Sequence, residues 1–195
     1  MAKLMIHQWI KQFNKIFIVC PTYAEDDVWS GLDEHVNSGL ITVLDNINEN
    51  TLRRIWNEAR EIKRAGETYH TLIYFDDCGG QDGFRSLNEG GVLNQLSTKG
   101  NHSNISSIFV VQRLVFCSPT MRVNAQYILV FYTQQEDERK RLYKEYGIGS
   151  FKNFSELLDL STREKYHTLF IDRRGPGEPR YYHNFKLITN PSHII

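Results

Sequence analysis

The sequence predicts an α/β protein built on a mostly parallel sheet with flanking helices. Short runs of β-branched and aromatic residues, at 15–20, 69–75 and 105–112, alternate with segments whose apolar residues recur at helical spacing. The middle run ends abruptly in two adjacent carboxylates, Asp76 and Asp77. Because ligands of parallel α/β sheets bind at the carboxyl ends of the strands, this acidic strand is the first place to look for chemistry.

Composition narrows the class of protein. The chain has 195 residues, 41% hydrophobic and 24% charged, which suits a single domain over residues 1–195. Its 23 basic and 23 acidic residues balance, so charge alone does not indicate a strongly basic nucleic-acid binder. No apolar run has the length of a membrane span and no signal-peptide core is visible, so we expect an intracellular protein. Three cysteines without a CxxC pair argue against a disulfide framework and a zinc ribbon.

The first half of the chain predicts a helix, two strands and a second helix. Residues 1–14 have the spacing of an amphipathic helix, although no capping residue precedes it. Residues 15–20 form a strand that Pro21 stops, and residues 40–44 form another. From Asn48 the spacing becomes helical again, and Gly66 closes that helix.

The second half continues the alternation after a glycine-rich loop at 78–83. A short helix runs from Val92 to near Lys99, strands are predicted at 105–112, 127–132 and 168–171, and helices at 136–146 and 154–163. Residues 173–179 predict a turn, and residues 173–195 are predicted to be a tail or hairpin that packs on the domain.

Asp76 and Asp77 follow four apolar residues, which is the Walker B pattern. In that pattern the first acid holds a metal ion and the second orients or deprotonates the attacking water. A strand that ends in a solvated turn is the alternative. Gln112 ends the next predicted strand, so a parallel sheet would place its amide beside the acids, whereas an isolated glutamine would simply face solvent.

Four stretches, in this order, resemble the viral genome-packaging ATPases of the FtsK/HerA superfamily, and most closely the poxvirus-type enzymes of large DNA viruses, virophages and related transposons. They are Cys20-Pro21-Thr22, Tyr74-Phe75-Asp76-Asp77, Gly100-Asn101-His102-Ser103-Asn104 leading into Gln112, and Arg122-Val123-Asn124. The resemblance implies a RecA-like P-loop NTPase core of the ASCE type. It also implies the cofactors ATP and Mg²⁺.

Site roles follow from the same resemblance. It implies that Asp76 binds Mg²⁺ through water, Asp77 activates water and Gln112 is the sensor, all three being near the nucleotide. Arg122 matches the basic residue after the sensor strand and is a further catalytic candidate. The implied partners are double-stranded DNA, further copies in a homo-oligomeric ring, and a capsid portal or vertex protein. The implied location is the host cytoplasm or a viral factory, or the virion itself.

Two departures accompany the matches. Asn101 stands where the family often has an arginine, for which Lys99 or Arg122 is a weak substitute. None of the 13 glycines begins a GxxxxGK[ST] loop, and none is followed by lysine. The resemblance therefore implies that the first strand and phosphate loop are missing, through a truncated reading frame, a split gene or a degraded copy. That loss would leave a sheet gap between residues 105–112 and 127–132, so we expect a chain that is unstable alone.

Three functions remain open at this stage. The first is ATP-driven translocation of double-stranded DNA into a capsid by the intact family protein. The second is a non-catalytic remnant or interaction subunit that keeps the fold without nucleotide turnover, and the third is a metal-dependent nuclease or hydrolase. Basic residues at 139–144 and at Arg173 and Arg174 are candidates for phosphate contacts or for a solvated face. The aromatic residues Tyr181, Tyr182 and Phe185 favour a packing tail over a base-stacking platform.

Overall fold

A computed structural model of the protein describes residues 10–80, 84 and 90–189. Packing divides the chain into two compact units, of which the first ends at Met121 and the second begins at Arg122. The single domain predicted for residues 1–195 stays a prediction. Most of the helix predicted at 1–14 lies outside the described residues, as do residues 81–83 of the predicted loop. Of that first helix the structure describes a 3-10 turn, Ile10–Gln12.

The first unit contains the predicted parallel sheet. Its strands are β1 (Lys15–Val19), β2 (Ile41–Leu44), β3 (Thr71–Phe75) and β4 (Ile105–Phe109). They pair in the order β2-β1-β3-β4, and every pairing is parallel. The register places Val19, Phe75 and Phe109 side by side, so β1, β3 and β4 end at one level. The α/β fold with a parallel sheet is thus confirmed.

Helices cover this sheet because their apolar faces match its two buried surfaces. The α-helices are α1 (Asp33–Asn37), α2 (Glu49–Arg64) and α3 (Val92–Lys99), and short 3-10 helices occupy Asp27–Trp29, Gly100–Ser103 and Leu114–Phe116. In α2 the apolar residues facing the core are Leu52, Ile55, Trp56 and Ala59. This helix begins at Glu49 because the Asn48 side chain accepts hydrogen bonds from two backbone N–H groups of the first turn.

Two hydrophobic clusters form around the sheet because side chains alternate along each strand. One cluster joins Ile73 and Phe75 of β3 to α2 and α3, whereas the other joins Leu72 and Tyr74 to Trp29. All five residues of β3 are buried as a result. A strand buried on both faces, as parallel strands usually are, explains why its sequence is continuously apolar instead of alternating.

The second unit contains an antiparallel sheet that the sequence did not predict. Its strands are β5 (Tyr127–Val130), β6 (Leu169–Asp172), β7 (Arg180–His183) and β8 (Lys186–Leu187), paired in that order. The helices are α4 (Pro119–Asn124), which contains the boundary between the units, α5 (Glu136–Tyr146) and α6 (Phe151–Thr162). No described helix has the length and apolarity that a membrane span needs.

The strands predicted at 127–132 and 168–171 therefore exist, but their assignment to the parallel sheet is wrong. They pair with each other in antiparallel register, Ile128 opposite Ile171. A run of apolar β-formers predicts a strand without indicating the direction of its neighbour. In the first sheet β4 is an edge strand, and in the second β5 is one. The gap predicted between these two strands stays a prediction.

A buried hydrogen bond fixes the amino end of β4. The Trp56 indole N–H of α2 donates to the Ser103 hydroxyl at 3.0 Å, just before the strand begins. Both residues are buried. We expect Ser103→Ala to lower the free energy of unfolding by about 1–3 kcal/mol because it leaves the indole N–H without its acceptor.

Urea denaturation of the two proteins measures this loss. The matched control is Ser106→Ala, which removes an exposed hydroxyl from the same strand region and should change stability little. Equal losses in the two variants would contradict a specific role for the buried bond.

Candidate functional site

The carboxyl ends of β1, β3 and β4 form the wall of a cleft. Because these parallel strands end in register, the residues that follow them are brought to one edge of the sheet. The cleft has a volume of about 640 Å³. Its lining residues come from the loops after these strands: Pro21, Thr22, Asp26, Asp76, Asp77, Gly79, Gly80, Val110, Val111, Gln112 and Phe116.

Asp77 and Gln112 meet in this cleft. The Gln112 side-chain amide Nε2 donates a hydrogen bond to Asp77 Oδ1 at 3.1 Å. Strand β4 ends at Phe109, three residues earlier than predicted, so Gln112 reaches the acid from a loop. The sequence predicted that these two residues would lie together, and the structure places them in contact.

Asp77 has an unusual backbone conformation. Its φ angle is +49°, in the left-handed region that non-glycine residues seldom adopt. Aspartate tolerates this region better than bulkier residues do, and strained backbone often occurs at functional sites. The turn directs the chain away from β3 immediately after Asp76 and leaves Asp77 exposed at the cleft.

A buried cysteine holds this turn. The Cys78 thiol donates to the carbonyl of Asp76 at 3.1 Å and to that of Val19 at 3.4 Å. The same Val19 carbonyl accepts the Asp76 backbone N–H at 2.9 Å. Burial, with the nearby Cys20 and Asp76, raises the pKa of the Cys78 thiol to about 12, so it remains a protonated donor at neutral pH.

Gly79 completes the turn because no larger residue fits there. A Cβ atom at this position would lie 2.5 Å from Cδ2 of the Phe116 ring. The sequence pattern predicts no role for Cys78 or Gly79. The only signal for them was their position directly after the acidic pair.

Asp76 lies in an environment that disfavours its charge. Burial raises the pKa of its carboxyl, and the carboxylates of Asp77 and Asp26 raise it further, while a hydrogen bond from the Asp77 backbone lowers it. No Lys or Arg forms a salt bridge with Asp76 in the described part of the chain. A half-buried carboxylate beside two others is stabilised in its charged form by a cation.

These residues fit Mg²⁺ as an incomplete set of ligands. Mg²⁺ prefers oxygen ligands and usually keeps several waters, with one or two carboxylates and substrate phosphates completing its shell. Among the described residues, no three His, Cys, Asp or Glu side chains come together as a metal cage. Asp76 could thus supply one carboxylate, directly or through water, and waters and phosphate oxygens the remaining ligands.

The other predicted residues lie elsewhere. Arg122 belongs to the second unit, where its Nε donates to Glu145 Oε1 at 3.0 Å. It is not among the described residues that line the cleft. His102 is exposed in a 3-10 helix that precedes β4, and Asn104 caps that helix with a φ of +53°. Both therefore lie at the amino end of the strand, whereas the acids lie at the carboxyl end.

A sequence profile of the family described as Poxvirus A32 protein matches residues 2–171. The chain belongs to this family. The match spans most of the chain and confirms the resemblance to poxvirus-type packaging ATPases. No curated protein matches the chain.

Solved structures of one virus protein share the fold of this A32-family chain. The crystal structure of B204, the DNA-packaging ATPase from Sulfolobus Turreted Icosahedral Virus, matches with 16% identity and a TM-score of 0.61, over 93% of this chain and 90% of that one. The genome packaging NTPase B204 from Sulfolobus turreted icosahedral virus 2 in complex with AMP matches with 17% identity and a TM-score of 0.59, over 88% and 86%. At this identity the likeness establishes the fold.

The raised pKa of Asp76 predicts a pH-dependent stability. An acid whose folded-state pKa is raised destabilises the fold when ionised, and this penalty disappears as pH falls through that pKa. We expect Asp76→Asn to raise the melting temperature at about pH 8 and to change it much less at about pH 4. Added Mg²⁺ should stabilise the wild type more than the variant.

Thermal melting at the two pH values, with and without Mg²⁺, measures both effects. Asp45→Asn is the matched control, since Asp45 follows β2 at the same end of the sheet but is exposed. A variant that is less stable than wild type at the higher pH would contradict the assigned environment of Asp76.

Proposed function

We propose that this chain carries the metal-binding and water-activating half of the ATP-hydrolysing site of a viral genome-packaging motor. The single observation that carries the proposal is the contact of Gln112 with Asp77 in the cleft at the carboxyl edge of the parallel sheet. Membership of the A32 family supports it. Further support comes from the similar fold of B204, which has been solved with AMP, ATP-gammaS and AMPPCP.

Asp77 acts on the attacking water in this proposal. Its exposed carboxylate accepts the water's proton or orders the water in line with the γ-phosphate. Gln112 holds one carboxylate oxygen of Asp77 through its amide N–H. The second N–H and the carbonyl of that amide can then bind the water or a γ-phosphate oxygen, which suits a sensor of the bound nucleotide.

Asp76 would hold Mg²⁺ through water, and the ion would offset the charge that burial and the neighbouring acids disfavour. Bound there, Mg²⁺ would supply charge neutralisation for the phosphates. Arg122 is proposed to stabilise phosphate charge. In the structure its Nε already donates to Glu145 Oε1.

No phosphate loop is assigned within residues 1–195, because GxxxxGK[ST] does not occur in this sequence. We propose that the complete site translocates double-stranded DNA and assembles as a homo-oligomeric ring that meets a capsid portal or vertex protein. An interaction subunit with the ATPase fold but no turnover is the second candidate.

We expect Asp77→Asn to lower Mg²⁺-dependent ATP turnover by about 100-fold or more, because a neutral amide cannot accept the proton of the water. Nucleotide affinity should be retained. Asparagine tolerates the left-handed backbone at this position, so the turn should survive the substitution. Steady-state phosphate release and equilibrium binding of ATP, measured on the protein from the full reading frame, test both expectations.

Asp45→Asn serves as the control because it removes an exposed carboxylate from the same end of the sheet. Unchanged turnover in Asp77→Asn would overturn the role of Asp77. Wild-type protein that binds MgATP without turnover would instead support the non-catalytic interaction subunit.

A further inference from the structure

The antiparallel sheet of the second unit has one buried face and one open face. Residues paired across antiparallel strands share a face. Ile171 of β6 pairs with Ile128 and Tyr181, and on this face Ile171, Tyr181 and Leu169 are fully buried. Phe170 pairs instead with Leu129 and Tyr182 and is half-buried on the opposite face.

Aromatic rings form a continuous patch on the open face. Phe170 lies at its centre, with ring centroids 5.7 Å from Tyr127, 5.3 Å from Tyr182 and 5.3 Å from Phe185. Two members of the patch are well exposed, Tyr127 at 42% and Phe185 at 61%. Contiguous exposed aromatic surface of this kind marks an interaction site more often than an isolated exposed residue does.

Phe185 is held in this exposed position at a backbone cost. Asn184 and Phe185 turn the chain from β7 to β8 with φ angles of +44° and +67°. Asparagine commonly adopts such angles, but a bulky aromatic residue rarely does. Asparagine or glycine would make this turn more easily than phenylalanine. The strain therefore indicates that the Phe185 ring has a function outside the turn.

Positive charge surrounds the patch. Arg174 lies over the Tyr127 ring at 4.4 Å and, with Arg180, forms a salt bridge with Asp172. Both arginines remain about half exposed. Two arginines against one aspartate leave this aromatic face with a net positive charge.

The first unit contains an acidic segment. Residues 16–52 contain no lysine or arginine, and within them five acids lie close together on one exposed stretch: Glu25, Asp26, Asp27, Asp33 and Glu34. Val28 is 39% exposed in the middle of this stretch. An apolar residue next to acids in the first unit thus complements aromatic residues next to arginines in the second.

We propose that the aromatic face of the second unit binds the acidic segment at residues 25–34 of a second copy of this chain. Aromatic residues and arginine are the types enriched at the centre of protein interfaces, and opposite charges fix the orientation of the two surfaces. The contact is head-to-tail because it joins two different surfaces, so further copies can add at each end. It does not depend on ATP hydrolysis.

Sedimentation velocity on the full chain over a range of concentrations tests the proposal. We expect concentration-dependent association that weakens as salt is raised from about 50 to 500 mM, because exposed charges are screened. Phe185→Asn should weaken association by about 10-fold or more, since it deletes the most exposed ring of the aromatic patch. Its melting temperature should not fall, because asparagine fits the left-handed turn.

Tyr166→Asn is the matched control. Like Phe185, Tyr166 is an exposed aromatic residue with a positive φ, +69°, but it lies outside the aromatic face. Its replacement should leave association unchanged.

Charge reversal identifies the two partners. Asp27→Lys should weaken self-association as Phe185→Asn does, since Asp27 is exposed within the acidic segment. An equimolar mixture of these two variants should recover a dimer, because the Asp27→Lys chain keeps the native aromatic face and the Phe185→Asn chain keeps the native acidic segment.

Protein that stays monomeric at low salt, or variants whose mixture does not recover association, would overturn the proposal. Monomeric protein that binds an oligothymidylate through a surface sensitive to Phe185→Asn would also overturn it and would assign the aromatic face to single-stranded nucleic acid instead.

Discussion

The carbonyl oxygen of Val19 is the acceptor on which the geometry of the cleft depends. It receives the backbone N–H of Asp76 and the thiol of Cys78, so the end of β1 holds the chain on both sides of Asp77. With its flanking residues fixed, Asp77 is kept in a left-handed conformation that it would seldom adopt alone. Its position against Gln112 therefore follows from the parallel pairing of β1 with β3, and only then from the residue type.

The cleft contains a candidate functional carboxylate whose charge lowers the stability of the fold. Strand β3 is buried on both faces, yet it delivers a carboxylate, Asp76, whose charge the surroundings disfavour. The neighbouring hydrogen bonds supply no countercharge, since the thiol of Cys78 donates to the backbone carbonyl of Asp76 and Gln112 binds Asp77 as a neutral amide. A lysine or arginine in their place would neutralise the acids and compete with a metal ion for them.

The sequence predicted the parallel half of the fold well because its strands are buried on both faces and so read as continuous apolar runs. Asp76, Asp77 and Gln112 could be predicted to converge, since parallel strands carry the residues after them to one edge. The direction of β5 and β6 could not be predicted, because an apolar run contains no information about its partner. Contacts made by Cys78 and Gly79 depend on distances between loops, which spacing along the chain does not reveal.

The aromatic residues near the end of the described chain show what the sequence alone could not predict. Tyr181 and Tyr182 are adjacent and chemically identical, and both were assigned to a packing tail. In the sheet they point to opposite faces, so Tyr181 is fully buried while Tyr182 lies on the open face beside Phe170. A two-residue period decides between core and surface, and it becomes visible only when the pairing of the strands is known. The basic residues follow the same rule, because Arg180 shares the face of Tyr182 and thereby turns an aromatic patch into a positively charged surface.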